Sequence, residues 1–293
     1  MDPEVLKQLA KGAVPVGAAL AVVFALLWRG TSTDKPADRW RVALGVLAAA
    51  AGYLLTHHFV FDPITLPPGQ AFQTIPLVVT FAAVVLVVGM FVPGGTLVAT
   101  VIAALSGAAM SMMVLARRTG WSDLPWLELG TFAGLTAMSM LAISWYSSRR
   151  PAAASGVLLL GFAAGGSQLL VLSMSSLKHG QVAGVSAAVA GAVVAASLLA
   201  MRASLGGLWA LLVLIVAVAM EQGWRYGGGS GSAPLRSVLL ASAVLPLAAV
   251  AHAMLPEKLI GVKRYALEIA IAALPMLVAL GFAGYEFAKQ QSE

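Results

Sequence analysis

The chain has no cysteine and no asparagine. Without thiols there are no disulfides, no thiolate metal sites and no cysteine nucleophile. Without asparagine there is no N-glycosylation sequon. Charge is scarce too: Asp, Glu, Lys and Arg make up 10% of the 293 residues, against about 25% in average soluble domains. Such a chain is neither an ordinary soluble globule nor a disordered polymer. His-Glu-x-x-His, Gly-x-Ser-x-Gly and runs of paired acids are all missing. Intramembrane metalloproteases, serine hydrolases and prenyl or glycosyl transferases therefore find no signature here. The expectation is a non-catalytic protein that needs no cofactor.

What is present is apolar. Hydrophobic residues form 60% of the chain, and its mean hydropathy is +0.90. A bilayer core about 30 Å thick is crossed by roughly 20 apolar residues at ~1.5 Å each. Stretches of about that length fall at 13–29, 40–61, 75–92, 95–116, 126–146, 152–175, 180–201, 204–221, 234–255 and 265–287. They predict an all-α, polytopic transmembrane bundle of about ten spans, in one membrane domain covering 1–293. Trp28, Trp40, Trp121, Trp126, Trp145 and Trp224 lie at or near the ends of these stretches, where amphipathic rings favour the headgroup layer. Lys7 and Lys11 precede the first stretch, but no small-x-small cleavage site follows Trp28. That segment reads as a retained helix and not a signal peptide.

The formal charge of +6 comes from 18 Lys plus Arg against 12 Asp plus Glu. The basic residues punctuate apolar runs and form no dense patch, so they read as topology signals and lipid contacts. The expected partners are the lipid bilayer and other membrane subunits, not nucleic acid. Arg29, Lys35, Arg39 and Arg41 lie in or beside the segment 30–39, whereas 62–74 has no Lys or Arg. This bias places 30–39 in the cytoplasm and the N-terminus outside. The Ala-, Gly-, Val- and Leu-rich composition points to the inner (cytoplasmic) membrane of a bacterium. No gap can house a soluble domain; the loop Gly227-Gly228-Gly229-Ser230-Gly231-Ser232 has linker composition and lacks the Lys of a phosphate loop.

Polar residues inside a membrane are the candidates for function. Ser167 and Gln168 lie deepest, and Gln168 would either line a solute cavity or hydrogen-bond a neighbouring helix. His57 and His58, with Asp62 close behind, carry metal-ligating groups; as adjacent residues on a helix the two imidazoles point apart, and the alternative is a set of interfacial polar residues. His252 stands alone near a span end. Glu268 is placed about 12 Å from its span's midplane by the helical rise, close enough to the headgroups to reach water. Glu221 and Glu128 lie at span ends. Met110, Met112, Met113, Met138, Met140 and Met174 suit monovalent copper or plain apolar packing. Gly130-x-x-x-Gly134, Gly161-x-x-x-Gly165 and Gly180-x-x-x-Gly184 fall in or at successive spans, where small residues let helices approach closely. Pro246 and Pro275 fall near the middles of the last two spans and predict kinks.

Leu66-Pro67-Pro68, Gly180-Gln181-Val182-Ala183-Gly184 and the segment Glu221 to Tyr226 give the chain a texture that resembles uncharacterised multi-pass membrane proteins of planctomycete-type bacteria. That resemblance implies a membrane bundle, and the group has no assigned activity to carry over. The span count is also similar to that of drug/metabolite-type exporters built from two five-helix repeats, although no repeat pairs 13–146 with 152–287. Two functions follow: a non-catalytic membrane component or assembly subunit, or a small-solute permease with a cavity near Gln168.

Overall fold

The computed structural model describes residues 36–61, 68, 71–119, 126–173, 176–197, 206–226, 232–256 and 261–292. Within them the chain is all-helical. The helices are α1 Pro36–Val60, α2 Ile75–Phe91, α3 Gly95–Thr119, α4 Trp126–Arg149, α5 Ala152–Leu172, α6 Leu177–Ser197, α7 Gly206–Tyr226, α8 Ser232–Ser242, α9 Val244–Met254 and α10 Val262–Ser292, with a 3-10 turn at Ala71–Thr74 before α2. Among the described residues seven segments are long and apolar enough to cross a membrane: Ala71–Phe91, Gly95–Val114, Trp126–Arg149, Ala152–Leu172, Gly207–Arg225, Leu235–Met254 and Val262–Lys289. The stretch 13–29 lies outside the described residues.

Local chemistry sets the ends. Pro76 sits in the first turn of α2, where its missing N–H has no helical acceptor to lose. Pro93 and Gly94 turn the chain between α2 and α3. Gly95 N–H bonds the Val92 carbonyl at 2.9 Å, and Gly94 has φ of 67°, the pattern of a type II turn. Gly94 is needed because a Cβ is strained in that region.

The bundle is built around α7. Every residue from Leu208 to Val216 is buried, because the helix is apolar around its whole circumference and has no face suited to solvent. Around it run α1, α2, α3, α4, the α8–α9 pair, α5 and α6, each packed on the next, and α10 lies outside this ring on α5, α8 and α9. The longest seams are α5 on α6 and α2 on α3. Outward faces are apolar as well, with Leu97, Leu105, Leu274, Leu277 and Phe282 exposed. Lipid tails are as apolar as leucine, so such faces carry no penalty in a bilayer.

The stretch 234–255 is two helices, broken at Ala243. Pro246 causes the break. It offers no N–H to the Ser242 carbonyl four residues earlier. Ser139 on α4 supplies the missing donor, its Oγ bonding the Ser242 carbonyl at 3.2 Å in a buried contact. A proline defect in one helix is thus satisfied by a hydroxyl from its neighbour. Pro275 lies inside α10, which continues through it.

Candidate functional site

Two polar nodes terminate the bundle, one at each end of α4. The first centres on Glu268, in the second turn of α10. Its side chain is 0% exposed. Tyr146 donates its hydroxyl to Oε2 at 2.9 Å. Arg150 donates Nε to Oε2 at 3.0 Å and Nη2 to Oε1. Arg264, one turn before Glu268, donates Nε at 3.2 Å, and His252 Nδ1 stands 3.1 Å from Oε1. Arg264 also bonds the carbonyls of His252 and Leu255 at 2.9 and 3.2 Å, so a cation caps the C-terminus of α9. Arg150 stacks 4.7 Å from the Tyr265 ring centre. Burial acts to lower the Arg150 pKa, but the Glu268 bond and charge outweigh it and hold the guanidinium above its ordinary value. One carboxylate therefore clasps α4, the α4–α5 connection, α9 and α10.

The second node closes the far end of α7. Glu221 accepts from Ser111 Oγ on α3 at 2.9 Å and from Arg225 Nε at 3.3 Å. Arg225 reaches on to Glu128 on α4 at 3.5 Å. Gln222, 0% exposed, donates to Thr74 Oγ1 at 2.8 Å. Near it Ser176 Oγ bonds His179 Nδ1 at 2.5 Å. Gln222 Oε1, His179 Nε2, both His57 nitrogens and the Tyr53 hydroxyl are buried without a hydrogen-bond partner. His57 lies among rings instead, with centroids 4.9 Å from Phe61 and 5.9 Å from Phe72.

No family model, curated protein or solved structure matches this chain. The nodes therefore stand on their geometry alone.

That geometry changes several expectations. Glu268 does not reach water; it is fully enclosed, and His252 is not alone but bonded to it. Its partners Arg150 and Tyr146 lie 118 and 122 positions away, so no local window reveals them. The available signals were Arg264–Glu268 and Glu221–Arg225, both spaced i, i+4. His57 is buried and His58 exposed, so the two imidazoles do not converge on one ion. Asp62 lies outside the described residues. Among the described residues no group of three His, Asp or Glu is placed to hold a metal.

Ser167 and Gln168 part company. Ser167 faces α6 and donates to the Gly180 carbonyl at 2.7 Å. Gln168, one residue and ~100° further around the helix, is exposed. It borders an open groove of about 310 Å³ between α5 and α10, whose walls include Val157, Gly161, Ala164, Ala273, Leu277 and Leu280. The glycines divide likewise. A Cβ on Gly165 would stand 2.5 Å from Met276 Sδ, on Gly180 2.8 Å from Val171 Cγ2, and on Gly184 3.6 Å from Ser167 Oγ. Gly130, Gly134 and Gly161 have open space there, so the close approach expected of them is absent. All three are exposed; Gly161 borders the open groove facing α10, too far from it for close contact.

Proposed function

We propose that the chain is a non-catalytic, multi-pass component of a bacterial inner membrane and works as a subunit of a larger membrane assembly. The observation that carries this reading is the interior of the bundle. The central helix is sealed and apolar from Leu208 to Val216, and the buried carboxylates are tied by cations at the two ends. A carrier needs polar groups converging near the midplane. The groove at Gln168 is open to the outside of the bundle, not an enclosed solute cavity. On this reading the seven apolar segments are joined by α1, by α6 and by the run 13–29, giving about ten spans with the N-terminus outside. The Arg150 end is then cytoplasmic. Lipid covers the apolar outer faces, and other membrane subunits are the partners.

Proteoliposomes loaded with small neutral or charged solutes test the reading. They should leak no faster with the protein than without it, and the chain extracted in mild detergent should run well above its own 30.0 kDa plus micelle. Protein-dependent flux would overturn the proposal. Reporter fusions test the orientation: alkaline phosphatase should be active at Gly69 and inactive at Thr33.

A further inference from the structure

We propose that the groove between α5 and α10 seats an acyl chain of an anionic glycerophospholipid, whose phosphate lies against the basic end beside Arg150. The groove's length fits one chain. Its α10 wall runs from Ile269 to Leu280, about 16 Å at the helical rise, close to the ~15 Å hydrocarbon depth of one leaflet. Its walls are apolar apart from Gln168, as a hydrocarbon chain requires. Gly161 and Ala164 keep the α5 side shallow, which leaves room for a chain and not only for side chains.

Charge gives the groove a direction. Ile269 directly follows Glu268, and the Arg150–Tyr265 stack lies one turn above it. Around that end Arg149, Arg150, Lys263 and Arg264 face a single carboxylate, Glu268, a surplus of three positive charges. Arg149 and Lys263 are exposed. Arg150 spends Nε and Nη2 on Glu268, which leaves Nη1 as a donor for a phosphate oxygen. Counted the same way around α5, α8 and α10, the other end has Lys178, Arg236 and Lys289 against Glu286, a surplus of two, so the Arg150 end is the more basic and an anionic headgroup is favoured there. The proposal needs the protein to lie in a bilayer but does not depend on the assembly role.

The test is lipid retention. Protein in nanodiscs of phosphatidylglycerol and phosphatidylcholine with identical chains is released into the gas phase and its bound lipids are weighed. Wild type should keep phosphatidylglycerol in preference. The Arg149→Gln, Lys263→Gln double variant spares the Glu268 clasp and should lower that preference about 25-fold, near fivefold per charge, as for ~1 kcal/mol per basic residue at an anionic surface. Ala273→Trp fills the groove and should abolish retention with the basic end intact; Ala164→Phe does the same from the α5 wall should the first variant fail to fold. Equal retention of both lipids, or retention unchanged in the folded groove-filling variants, overturns the proposal. So does a dimer that these variants dissolve, since a second copy would then be the occupant.

Discussion

Glu268→Gln is the most searching perturbation of this bundle. The carboxylate accepts from Tyr146, Arg150, Arg264 and His252, and the amide removes its charge while keeping its size. Two guanidinium groups, whose side chains are 11% and 14% exposed, lose their counter-ion. Breaking one side of a fully buried ion pair destabilises by about 3–5 kcal/mol. The slight exposure of both arginines moves the expectation to the lower end, about 3 kcal/mol. Tyr146→Phe removes one hydrogen bond to a charged acceptor and should cost about 1.5 kcal/mol. The measurement is denaturant unfolding in mixed micelles, followed by tryptophan fluorescence. Arg150→Gln combined with Glu268→Gln should be less destabilising than the sum of the two, with coupling within the ~0.5–3 kcal/mol seen for residues in one network. Loss of under ~1 kcal/mol for Glu268→Gln, or strict additivity of the pair, would refute the clasp as a source of stability.

Ser139→Ala should cost about 1 kcal/mol, because it strips the donor from the Ser242 carbonyl; in a Pro246→Ala background the new amide N–H takes over and the loss should shrink, as unfolding of the single and double variants will show. Gly165→Ile should lower the melting temperature in detergent, since a Cβ there meets Met276 at 2.5 Å, whereas Gly161→Ile should leave it unchanged; equal melting curves would place Gly165 on the lipid face. Gln168→Leu should be neutral or stabilising in bilayers, because an exposed amide without a partner is poorly suited to hydrocarbon; a loss above ~1 kcal/mol in the same unfolding assay would reveal a hydrogen-bond partner on another chain.

The sequence alone determined that the described residues are helical and where most of those helices lie. An apolar run of spanning length is a local property, as are a Trp or Arg at its border and a Pro-Gly turn such as Pro93-Gly94. The predicted stretches 126–146, 152–175 and 204–221 match α4, α5 and α7 to within a few residues. The break near Pro246 was legible too, because a missing N–H is written in one letter. Rotation of each helix about its axis was not. In a soluble bundle polar residues mark the outer face, but here lipid and core are equally apolar, so α5 shows almost no amphipathic periodicity. The sequence therefore could not say that Ser167 turns to α6 while Gln168 turns out, or that Gly165 is covered and Gly161 open. Nor could it pair Glu268 with Arg150 and Tyr146, or Ser139 with Ser242. Those contacts join residues more than a hundred positions apart, and only the packing of helices around the sealed α7 brings them within hydrogen-bonding distance.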